Sequence, residues 1–153
     1  MTTALRQLLA STAYRLQKSV QEAEEDFGTF DCGKGVRTPL QIMNHMTHVL
    51  RHAKGFYTKE TVMRPDPLPF HHEVKRFHDE LAELDDWTTR VSLSEPEYLK
   101  MIQGPLSDVL THVGQLSMLR RLYGSPVKGE DFTKAAIYIG LVGENQTLSS
   151  DFF

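Results

Sequence analysis

The chain has 153 residues, 40% hydrophobic and 24% charged, with a formal net charge of −3. That balance suits one soluble domain with a sizeable core, so residues 1–153 read as a single unit without repeats or low-complexity linkers. The small negative charge gives no footing for nucleic acid or anionic membrane, no apolar run approaches the ~20 residues of a membrane span, and a single cysteine, Cys32, excludes an internal disulfide.

The first periodic stretch places Leu5, Leu8, Leu9, Leu16 and Val20 on one helical face. Arg6, Arg15 and Gln17 interrupt its apolar residues, so it reads as a first helix and not a secretion signal, and the expected location is the cytoplasm. The acidic run Glu22, Glu24, Glu25 and Asp26 ends it, and Phe27 to Arg37, with Gly28, Gly33 and Gly35, reads as a loop. A second helix starts at Thr38–Pro39: threonine caps free backbone N–H groups, and proline is tolerated at the first helical position. Its apolar stripe is Ile42, Met46, Val49, Ala53 and Phe56, and it ends before the extended segment that Pro65, Pro67 and Pro69 enforce.

A third helix is predicted from about His71 to Trp87, with Val74, Phe77, Leu81 and Leu84 inward. A fourth is predicted from about Glu97 to Tyr123, carrying Leu99, Ile102, Leu106, Val109, Val113 and Leu116. Gly104–Pro105 inside that pattern implies either a kink or a short separate leading turn. Gly124 and Pro126 end the helix, a short fifth helix is expected from Asp131 to Ile139, and the polar last dozen residues are expected to be irregular. Strand signals are weak throughout. The class is all-α, and four long amphipathic helices favour a four-helix bundle with a short extra C-terminal helix.

The chain's 7 histidines are unevenly spread. His45, His48 and His52 fall on the second helix, and at ~100° per residue His45 lies on the border of the apolar face while His48 leans toward solvent. On the fourth helix His112 holds a similar border position, and Asp108 sits one turn earlier, at the i, i+4 spacing that puts two side chains together. One imidazole from the second helix, with a carboxylate and an imidazole from the fourth, can bind a divalent metal, with coordination positions left for water or substrate. The competing reading makes Asp108 and His112 a hydrogen-bonded pair on a solvated face and His45 a boundary histidine. His48 and His52 are candidates for a further ligand or a supporting contact, and Gln115 for orienting a ligand or water; partly exposed helix positions explain all three as well. His71, His72 and His78, after the prolines, read as surface histidines, and Cys32 as an ordinary free thiol.

The segment from Thr111 to Arg121, continuing through Gly124-Ser125-Pro126-Val127, resembles the signature of the DinB-like family. So does Arg37 to Met46, and Gly129-Glu130-Asp131-Phe132 with Ala135 and Ile137 resembles a tail seen in one branch of it. The resemblance implies an up-down-down-up bundle, a homodimer, and a metal held between helices by a second-helix histidine and an H-x-x-x-H pair. His45 and His112 match the first and last of these positions, while Asp108 stands where the family has histidine. The implied metal is nickel or zinc, with manganese or iron as alternatives, because a carboxylate ligand shifts preference toward harder ions. The implied chemistry is that of a metal-dependent thiol transferase acting on a small-molecule thiol and an electrophile. A metal-dependent hydrolase and a non-catalytic dimeric bundle for ligand or protein binding are the alternatives, and the sequence leaves open whether the chain is an enzyme.

Overall fold

A computed structural model describes residues 1–149, and the described residues contain helices, turns and irregular segments but no strand. The helices are α1 (Thr2–Val20), α2 (Pro39–Thr58), α3 (Phe70–Arg90), α4 (Glu95–Met101) and α5 (Ser107–Tyr123). A 3-10 turn (Glu25–Thr29) follows α1, and one π-helical turn (Ile102–Leu106) joins α4 to α5. Helix α1 packs on α3 and α5, and α2 packs on the same two, so four long helices enclose one core. None of the helices is long and apolar enough to cross a membrane.

Each long helix follows from its spacing. In α1, Leu5, Leu9, Ala13, Leu16 and Val20 are buried; in α3, Phe70, Val74, Phe77, Leu81 and Leu84 are. Helix α2 begins with a reciprocal capping box: the Gln41 backbone N–H donates to the Thr38 hydroxyl (3.3 Å), and the Thr38 N–H donates to the Gln41 side chain (2.9 Å). The start of α3 is capped from a distance, by the Glu25 carboxylate accepting from the backbone N–H groups of Phe70 (2.5 Å) and His71 (3.1 Å). Part of the acidic run that ends α1 thus closes the N-terminus of α3. Gly28 permits this approach, since a Cβ there would lie 2.6 Å from the Phe70 Cβ.

The buried face of α2 differs from the apolar stripe of its sequence. Ile42, Met43, Met46, Leu50 and Ala53 are buried, whereas Val49 and Phe56 are only half-buried. The helix is rotated toward Met43 and Leu50, which turns His48, Val49 and His52 toward a groove. Of the two outcomes that Gly104–Pro105 implies, a short leading segment splits off: α4 ends at Met101, and the pair lies in the π turn that joins it to α5. Pro105 has no N–H to donate, and the Ser107 hydroxyl donates to the Ile102 carbonyl (2.6 Å) across the widened turn.

The fifth helix expected over Asp131 to Ile139 does not form. The Asp131 carboxylate instead closes a turn by accepting from the Thr133 N–H (3.1 Å) and hydroxyl (2.6 Å). Glu130 is buried against Lys18 and the Tyr14 hydroxyl, and Phe132 packs under the Arg15 guanidinium at 3.9 Å. These tertiary anchors lay the segment along α1. Residues 141–149 are irregular, as the polar composition implies, and the last four positions of that expectation and of the 1–153 domain lie outside the described residues.

Between α2 and α3 the proline-rich linker is tied down by two buried polar side chains. The Asn44 amide donates to the Pro65 carbonyl (2.9 Å) and to Glu73 (3.1 Å), and the Leu68 N–H donates to the same Glu73 oxygen (3.0 Å). Arg76 pairs with Glu73 and donates to the Asp66 carbonyl (2.9 Å). Glu73 is wholly buried, so Glu73→Ala should lower the unfolding free energy by roughly 3 kcal/mol or more, since it removes one member of a buried ionic network. Urea denaturation checks this; Glu73→Gln, which keeps an acceptor for Leu68, should lose less.

Candidate metal centre

Three side chains from two helices meet at the border of the core. His45 projects from α2, and Asp108 and His112 project from successive turns of α5. His45 Nε2 lies 3.1 Å from Asp108 Oδ2, and His112 Nδ1 lies 3.9 Å from Asp108 Oδ1. The two imidazole rings are 4.7 Å apart between centroids and inclined by 34°. One ligand atom from each residue falls within 4.8 Å of the others, so the group can hold a metal ion. His112 is buried; His45 and Asp108 are half-buried, which leaves the cluster a side open to small molecules.

The packing of α2 on α5 creates this arrangement. Met43, Met46 and Leu50 of α2, and Val109, Val113 and Leu116 of α5, are buried in one core. The i, i+4 spacing then sets Asp108 and His112 side by side opposite His45. The Thr111 hydroxyl, bonded to the Asp108 carbonyl (2.7 Å), also lies 3.5 Å from His112 Nδ1.

Two residues that the sequence did not single out complete the surroundings. Arg37, just ahead of the capping box, places Nη1 3.4 Å from His112 Nε2. Arg64, in the linker beside the anchored Pro65, places Nη2 3.0 Å from His45 Nδ1. Nothing local marks either as a site residue, since their partners lie 75 and 19 positions away.

Burial lowers the pKa of His45 below its ordinary value; the hydrogen bond it donates to Asp108 opposes this, while His112 and Arg37 add to it. Burial likewise lowers the pKa of His112, opposed by Asp108 and aided by Arg37. Neutral imidazole is the form that ligates a metal, so both rings suit that role at neutral pH.

A cavity of about 660 Å³ adjoins the cluster, with Asp108 in its wall. His48, Val49 and His52 line it from α2, and Gly104 and Pro105 from the π turn. His48 does not lean to solvent as its helical angle suggests: it is half-buried, and burial lowers its pKa. His52 is exposed at the rim, and Gln115 is exposed on α5. His71 and His72 are at the surface as expected, with His71 beside Glu25. His78 is not: it is buried, and its Nδ1 donates to the Val142 carbonyl (2.9 Å). Cys32 is a half-buried free thiol.

No protein family, curated protein or solved structure matches this chain. The structure itself establishes an all-α protein with a two-histidine, one-carboxylate cluster able to hold a metal ion.

In the metal-free protein, NMR titration should give His45 and His112 midpoints below the usual ~6.5. Asp108→Asn should lower the His45 midpoint further, because Asp108 raises it. The unfolded chain binds these protons more readily, so their contribution to stability is present above pH ~6.5 and is lost as pH falls through the folded midpoints.

Proposed function

We propose that this chain is a divalent-metal protein of the DinB-like kind, with His45, Asp108 and His112 as its metal ligands and a small-molecule thiol as its substrate. The observation that carries the reading is the convergence of three ligand atoms within 4.8 Å from two helices, beside a cavity of about 660 Å³. The resemblance of Arg37–Met46, and of Thr111–Arg121 with Gly124–Val127, to the family's motifs supports the same assignment. With it go the up-down-down-up direction of the four long helices and a cytoplasmic location.

Two imidazole nitrogens and one carboxylate oxygen suit zinc or nickel, with manganese or iron admitted by the oxygen ligand. When bound, such an ion supplies the Lewis acidity that lowers a ligand's pKa and favours a thiolate, or hydroxide from water, at neutral pH. The chain's own residues do the rest. His45 and His112 offer lone pairs at neutral pH. Asp108 holds His45 in orientation and offers the negative ligand. The cavity beside Asp108 receives the substrate, with half-buried Val49 against its apolar part. A thiol transferase is the primary reading, and metal-assisted hydrolysis uses the same groups with water in place of the thiol.

A non-catalytic dimeric bundle is the second reading, favoured by Met118 and Leu122, which are 51% and 58% exposed one turn apart on α5. A homodimer through that face is compatible with either role, so metal content separates them. Protein purified without added metal should carry close to one equivalent of zinc, nickel, manganese or iron by elemental analysis. His45→Ala, Asp108→Ala and His112→Ala should each weaken zinc binding by more than the roughly tenfold that loss of a contact merely supporting a ligand costs, while His72→Ala should leave it unchanged. Equal loss from His48→Ala would show that the wrong α2 histidine had been assigned. Metal-free protein that shows no thermal shift with any of the four ions would leave only the non-catalytic reading.

A further inference from the structure

The two guanidinium groups at the candidate centre constrain what binds there. Arginine carries hydrogen-bond donors and no acceptor. Arg64 therefore donates to His45 Nδ1, and Arg37 donates to His112 Nε2, so each of these ring nitrogens presents its lone pair to an arginine. For His45 the remaining N–H is then Nε2–H, directed at Asp108 Oδ2 at 3.1 Å, as a donor to that carboxylate should be.

A neutral imidazole has one lone pair and one N–H, and a metal takes the lone pair. If the metal bonds the nitrogen that an arginine now contacts, it displaces that arginine directly. If it bonds the other nitrogen, the ring proton moves to the nitrogen facing the arginine, and two donors confront each other. By either route, ligation by both histidines breaks both arginine contacts.

The released side chains stay near the site. Arg37 is fixed in the backbone by the capping box that follows it, and Arg64 by the Pro65–Asn44 hydrogen bond. Asp108 is the acid that acts on both histidines. A dication with two guanidiniums would thus share the loaded site with the Asp108 carboxylate, and because both arginines are exposed, that net positive charge faces the side from which a ligand enters. Guanidinium is also the side chain whose planar donor array best fits a carboxylate or phosphate group.

We propose that the metal-loaded site takes a ligand bearing an oxyanion group, held by Arg37 and Arg64 once the metal has released them from the two histidines. This rests on the metal reading above and specifies its substrate class: a small molecule carrying a carboxylate or phosphate in addition to the atom that meets the metal. Metal and oxyanion then bind with positive coupling, because the first frees the residues that grip the second.

Calorimetry on the full chain tests this. Zinc is titrated into metal-free native protein and into the Arg37→Gln/Arg64→Gln variant. Inorganic phosphate and, separately, acetate are then titrated into each protein with and without zinc, at constant ionic strength. In the native chain, zinc should strengthen binding of at least one oxyanion, and the preferred probe distinguishes tetrahedral from planar recognition. The variant should bind zinc at least as tightly as the native chain, since its competing donors are gone. It should bind the preferred oxyanion at least about tenfold more weakly, the effect of losing charge-assisted hydrogen bonds. Zinc binding in both proteins with the same oxyanion response would overturn the proposal and leave the metal reading standing. Weaker zinc binding in the variant would also overturn it, because the arginines would then support the metal instead of competing with it. Absence of zinc binding in the native chain would remove the metal reading and this proposal together.

Discussion

Helices α2 and α5 share a buried core, and the polar edge of their contact is where His45 meets Asp108 and His112. The phase of α2 decides whether that meeting happens. A rotation by one residue moves a side chain by ~100° around the helix axis, which would carry His45 away from Asp108. That phase has two determinants. The capping box at Thr38 fixes where the helix begins, and burial of Ile42, Met43, Met46, Leu50 and Ala53 fixes which side faces inward. The same rotation leaves Val49 half-buried and exposes His52, so the residues that fail to enter the core instead line the cavity beside Asp108.

The segments outside the long helices serve the same place. The linker after α2 is held at Pro65 by Asn44 and at Leu68 by Glu73, and it carries Arg64 to His45. The segment before α2 carries Arg37 to His112. The π turn at Gly104–Pro105 forms part of the cavity wall next to Asp108. Such turns interrupt regular helical hydrogen bonding and recur at functional sites, and here the turn places an opening where a continuous helix would present a closed surface. A proline-rich linker and a glycine–proline pair, two interruptions of the helical pattern, are thus parts of one site.

The long helices were legible because their signals are local. Thr38–Pro39 with Gln41 marks a helix start, and the spacing of Phe77, Leu81 and Leu84 marks a buried face, without reference to anything distant. The candidate ligands were legible for the same reason: i, i+4 spacing pairs Asp108 with His112, and helical phase puts His45 at the core border. What the sequence hid depends on partners far along the chain. Asp131 to Ile139 has the composition of a short helix, but Glu130 and Phe132 find their partners on α1, and those contacts override local preference. His78 looks like a surface residue until the Val142 segment covers it. Arg37 and Arg64 carry no local mark, and only the fold brings each, still exposed, to a histidine ring.

The central claim is that His45, Asp108 and His112 act together as one ligand set. X-ray absorption at the zinc edge of the zinc-loaded chain reads that set directly. Two imidazole nitrogens are expected at about 2.0–2.1 Å, identified by the outer-ring scattering of histidine, with the remaining neighbours oxygen. Replacing Asp108 with Ala should change the oxygen shell and leave the imidazole signal. A zinc environment of oxygens alone, or one whose imidazole signal survives loss of both His45 and His112, would contradict the account.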